Sequence, residues 1–150
     1  MRTLRLMYQH NAWANQRVLD VVGGLQSTTI SDGAKGTFGS IEQTVKHMIG
    51  VEDVYLIRIL GKELTTHGSQ DDYLAHDLTW FRQRSADLGR DYARLLASAN
   101  EQLLERELVM PWIRVPLTVR EGLIQVLSHS AQHRPDSLDV RRSRPAGPRD

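Results

Sequence analysis

The chain carries six histidines, His10, His47, His67, His76, His129 and His133, and no cysteine. Its own side chains can offer imidazole nitrogen and carboxylate oxygen to a metal ion, but no thiolate. His129 and His133 are four residues apart. On a helix that spacing sets the two rings side by side, with Cβ atoms about 6 Å apart. Two imidazoles so placed can hold one metal ion, each through one ring nitrogen at about 2.0–2.1 Å. His47 lies on the flank of another amphipathic stretch and supplies a third nitrogen if the two helices are neighbours. No Asp or Glu stands four residues from it to hold it in a simple ion pair. The competing reading is three histidines separately solvated or hydrogen-bonded. His67 and His76 fall in a polar connection and read as solvated, and His10 reads as surface.

Glu52 follows His47 by five residues, about 140° further round a helix. It falls on an apolar stripe, where an unpaired carboxylate is costly. It is the candidate catalytic residue, as a general base, or else a partner that holds a metal ligand. The competing reading is an ion pair with an arginine. Asn11 and Asn15 share a face with Leu4, Val18 and Val22, so they need hydrogen-bond partners in the backbone or among the ligand side chains. Trp13 and Trp112 either line a pocket or pack.

Four helices must position these groups. The first covers about 3–22, with Leu4, Tyr8, Val18, Leu19 and Val22 on one face, and ends at Gly23-Gly24. Segment 25–39 reads as a loop. The second opens on the capping box Ser40-Ile41-Glu42-Gln43 and runs to about Leu60, with Gly61 at its end. Segment 61–76 is polar connection. The third spans about 78–106, capped by Asp77 or Thr79. Residues 108–116 carry β-branched side chains between two prolines and read as a hairpin or an extended crossover. The fourth opens on the capping box Thr118-Val119-Arg120-Glu121 and carries both closely spaced histidines, with Gly122 leaving space below them. The expected fold is all-α, a four-helix bundle with a long crossover connection before the last helix.

With 150 residues, the chain suits one compact domain that needs no disulfides. Its 19 basic and 18 acidic residues create no field that calls for nucleic acid or an anionic membrane. No apolar run reaches the ~18 residues of a membrane span, and the N-terminal apolar stretch is too short for a signal peptide. The expectation is a cytoplasmic protein with no nucleic-acid or membrane partner.

Particular patches add a resemblance. Tyr8, Asn11 and Trp13-Ala14-Asn15 with Leu19 resemble the first helix of the DinB/YfiT-like family. Thr37-Phe38-Gly39-Ser40-Ile41 followed by His47 resembles the start of its second helix, and Glu52, Tyr55, Leu56 and Arg58 match the continuation. His129-Ser130-Ala131-Gln132-His133-Arg134 resembles its HxxxHR motif. The resemblance covers roughly residues 3–134. It implies a four-helix bundle, and a divalent transition metal (Zn²⁺ or Ni²⁺) held by His47, His129 and His133. Characterised members of that family include S-transferases and isomerases that use small thiols such as bacillithiol or mycothiol. The resemblance therefore implies a metal-dependent S-transferase that joins an external small thiol to an electrophilic small molecule. A metal-hydroxide hydrolase and a non-enzymatic metal- or ligand-binding module are the alternatives. The chain departs from the family after Arg134. Pro135 removes a helical hydrogen bond and should kink or stop the helix near His133. The expected division is a bundle over 1–134 and an irregular Arg- and Pro-rich tail over 135–150. Apolar surface left bare by a shortened last helix would be covered in a homodimer.

Overall fold

The computed structural model describes residues 1–26, 31, 39–62 and 75–138. Most of the two connections read from the sequence, His67, and Thr37-Phe38 lie outside the described residues, as does everything after Leu138.

Helix α1 spans Arg2–Gly23 and buries Tyr8, Asn11, Ala14, Asn15, Val18, Leu19 and Val22, one continuous inward stripe. Helix α2 spans Ile41–Ile59. Its capping box forms reciprocally: Ser40 Oγ accepts from the Gln43 amide at 3.1 Å, and Gln43 Oε1 accepts from the Ser40 amide at 2.9 Å. Just past its end, Gly61 takes a positive φ of 70°, which a side chain would disfavour.

Helix α3 spans Leu78–Ser98, with Asp77 rather than Thr79 as its cap, Oδ1 accepting from the Trp80 amide at 2.8 Å. It is shorter than the sequence pattern suggests. The chain becomes extended at Ala99 and restarts as α4, Glu101–Glu105, under Asn100, whose Oδ1 accepts from the Leu103 amide at 2.9 Å. A side chain that can cap makes such a break cheap, and Leu104 still reaches the core after it. The extended segment then closes as a hairpin, β1 (Glu107–Leu108) against β2 (Leu117–Thr118), antiparallel with Glu107 opposite Thr118 and Leu108 opposite Leu117.

Helix α5 spans Val119–Leu138. Thr118 and Glu121 cap it reciprocally, Glu121 Oε2 accepting from the Thr118 amide at 2.7 Å and Thr118 Oγ1 from the Glu121 amide at 3.2 Å. The helix does not stop at His133. It continues past Pro135 to Leu138, beyond the stop expected near His133. A proline's fixed φ is itself helical, so the penalty is the missing N–H and local crowding, not the backbone angle. Ser137 lies in the added turn, buried, with its Oγ donating to the His133 carbonyl at 3.0 Å.

The four long helices form a ring in which α1 and α2 each touch both α3 and α5, while α1 faces α2 across the diagonal. Helices α1 and α3 are antiparallel, since Arg5 bonds the carbonyls of Leu96 and Ala97 while Arg82 bonds that of Leu19. Helices α1 and α5 are parallel: Tyr8 donates to the Leu123 carbonyl, and Arg134 reaches Asn11 and Asn15. Helix α2 opposes α5, with His47 beside His129 and Tyr55 beside Gly122. It runs with α3, as Lys46 near Phe81 and Glu52 near Tyr92 show. The all-α bundle is therefore up, down, down, up, and the connection before the last helix holds α4 and the hairpin.

The space beside Gly122 is taken. A Cβ there would stand 2.4 Å from Leu108 Cδ2 and 3.5 Å from the Tyr55 ring. The glycine lets β1 and α2 approach α5 closely. Among the described residues, no helix is long and apolar enough to cross a membrane.

Candidate metal centre

The antiparallel pairing of α2 and α5 brings the second turn of α2 level with the last turns of α5. His47 thereby meets His129 and His133. One ring nitrogen of each lies within 4.8 Å of the others, and all three rings are half-buried. Their centroids are 4.9 Å apart for His47 and His129, 5.2 Å for His47 and His133, and 4.5 Å for His129 and His133. The Nε2 atoms of His47 and His129 stand 3.1 Å apart. Two nitrogens held on one tetrahedral ion at about 2.0–2.1 Å would be about 3.3 Å apart, so this pair is already close to ligand spacing.

The electrostatics suit the same role. Burial, followed by the neighbouring His133 and His47, pulls His129 down to about 4. Burial and His133 lower His47 as well. Neutral imidazoles are the form that ligates, and both rings are neutral near pH 7. His129 Nδ1 is buried without a hydrogen-bond partner among the described residues. The cluster contains no carboxylate. Three imidazole nitrogens from two packed helices are compatible with a divalent transition metal, with coordination positions left for water or substrate.

Glu52 is placed elsewhere. It is buried in the bundle interior, and its Oε1 accepts from Asn11 Nδ2 and Asn15 Nδ2, each at 2.8 Å, and from the Ser130 hydroxyl. Burial pushes its carboxyl up while these donors pull it down. The ion pair with an arginine is not direct. Arg134 Nη1 donates instead to the oxygens of the same two amides, at 2.6 Å to Asn11 and 3.0 Å to Asn15. Each asparagine thus turns its nitrogen to the carboxylate and its oxygen to the guanidinium. The need of Asn11 and Asn15 for partners is visible in the sequence, but their convergence with Ser130 and Arg134 on Glu52 is not. Its signal was a second four-residue spacing, Ser130 to Arg134, one residue behind the histidine pair.

The remaining candidates separate from the centre. His10 is exposed beside Trp13, with centroids 5.5 Å apart. His76 is not simply solvated, for it is half-buried and stacked on Trp80 at 4.0 Å. Trp13 lines an open groove of about 370 Å³ with Val18, Val21, Ala131, Arg134 and Pro135. Trp112 is more than half exposed and meets Tyr55 edge-on at 6.1 Å.

Against known proteins, residues 1–137 match the family model described as the DinB family. That match includes all three histidines and extends past Pro135. None of the curated proteins matches the chain.

Proposed function

The chain belongs to the DinB family, and from that premise we propose that His47, His129 and His133 hold one divalent transition metal, Zn²⁺ or Ni²⁺, in an S-transferase. The observation that carries this reading is the approach of three imidazoles from two helices, with His47 and His129 already at 3.1 Å. A bound ion with open positions would lower the pKa of an external thiol placed on it, just as zinc lowers that of water. The chain has no cysteine of its own, so the thiol is a cosubstrate. Its sulfur forms the new S–C bond to an electrophilic small molecule, its proton passes to solvent, and the leaving group departs with the electron pair of the broken bond. The protein's part is to keep three ring nitrogens converged and half-shielded from water.

The test is metal content by elemental mass spectrometry on wild type and His129→Ala, purified side by side. Close to one transition metal per chain is expected in wild type and none in the variant. Wild type that stays metal-free after Zn²⁺ or Ni²⁺ is added would defeat the reading. Loaded protein would then be screened with small thiols and alkylating electrophiles for thioether product. Metal binding without any turnover would leave a binding module.

A further inference from the structure

We infer that Glu52, Asn11 and Asn15 are positioning residues that set the rotation of α5, and so aim His129 and His133 at His47. This rests on the metal centre proposed above. The ground is a coincidence of spacing and bonding. Ser130 directly follows His129, and Arg134 directly follows His133. Both followers are tied into one buried network, Ser130 to Glu52 and Arg134 to the two asparagines that also bond Glu52. Consecutive residues on a helix are 100° apart. Pinning the 130/134 pair toward α1 and the bundle interior therefore fixes the 129/133 pair on the adjacent face, toward α2.

Geometry sets how tight that control must be. A side-chain atom about 5–6 Å from the helix axis moves through about 1 Å when the helix turns by about 10°. Metal–ligand distances are held to about 0.2 Å. Apolar packing is non-directional, so it specifies the rotation of a helix less sharply than directed hydrogen bonds do. A buried carboxyl oxygen that accepts three directed bonds is stricter, since the turn would leave a buried acceptor without its donors. The network starts from α2 itself, on the helix that carries His47, so ligand and anchor share one frame. Pro135 makes this tether more consequential, because it weakens the backbone ladder just beyond His133.

The test uses the full chain loaded with Zn²⁺, its affinity read by competition with a chromophoric chelator, and loaded separately with Co²⁺, its visible bands reporting ligand geometry. Arg134→Met removes the two bonds to the asparagines at a half-buried site, while Arg134→Lys keeps a donor there. Ser130→Ala removes the other tie. Arg134→Met and Ser130→Ala are expected to weaken Zn²⁺ roughly 10–100-fold and to shift the Co²⁺ bands. Arg134→Lys should recover most of both. Thermal melts of the metal-free variants identify any that fail to fold, and the Met/Lys contrast decides the matter if Ser130→Ala is one of them. Wild-type affinity and spectrum in folded Arg134→Met would overturn the positioning role while leaving the metal centre standing. A wild type that binds neither ion would remove both.

Discussion

The residue that binds the electrostatics of the centre together is His129. Its pKa lies at about 4 in the folded chain, against about 6.5 for an ordinary histidine. Between those values the unfolded chain binds more protons than the folded one. Stability therefore rises with pH through that window, is flat above it, and is lost as pH falls toward 4. In the metal-free protein, His129→Gln should reduce this dependence, leaving the share contributed by the lowered pKa of His47. The measurement is urea unfolding of wild type and variant at about pH 7 and about pH 5. The wild type should lose more stability than the variant on acidification, and equal losses would refute the assignment. The pairing of His129 with His133 was readable from spacing, because a four-residue separation means the same thing on any helix, whereas His47 could join them only on the condition that its helix is their neighbour. Glu52 was readable only as a problem, a charge on an apolar stripe. Its solution needed the knowledge that α1 and α5 both flank the interior at its level, which one strand of sequence does not contain.

At the scale of the element, local chemistry was legible wherever it was self-contained. Both capping boxes form as read, because Ser40 with Gln43 and Thr118 with Glu121 satisfy each other without distant partners. The end of α3 was misread because Leu103 and Leu104 continue its apolar spacing, which hid the cap at Asn100. The end of α5 was misread because Pro135 has a local cost that the rest of the structure tolerates. That cost should be recoverable. Pro135→Ala is expected to stabilise the chain by up to about 3 kcal/mol. At about 2–4 °C per kcal/mol for a domain of this size, calorimetry should show a Tm rise of several degrees. No rise would mean that the helix already absorbs the proline. Gly122→Ala should act in the opposite sense. Its Cβ would meet Leu108 at 2.4 Å, so a loss of about 1–3 kcal/mol is expected in urea unfolding. Wild-type stability there would show that β1 yields freely.

At the scale of the molecule, the three histidines join α2 to α5 across a seam that also carries the buried Glu52–Ser130 hydrogen bond. An ion that binds only the folded chain would stabilise it by about 2.7 kcal/mol at one hundred times Kd. Zn²⁺ should then raise Tm by roughly 5–10 °C, reversed by a chelator and absent in His129→Ala. A shift that persists in the variant would place the ion elsewhere. The class of the fold was legible from four amphipathic stretches, but their directions were not, since short-range pattern does not say which helices run parallel. An even number of helices that simply alternated would bring both ends of the chain to one end of the bundle. Here the first and last helices run the same way, so Arg2 and Leu138 stand at opposite ends, about 30 Å apart along the axis. Because the chain has no native thiol, a cysteine introduced at each position would take a spin label without background. The dipolar coupling between two such labels would report that separation directly, and any strap from Leu138 back to Arg2 would have to span the bundle with roughly nine or more extended residues.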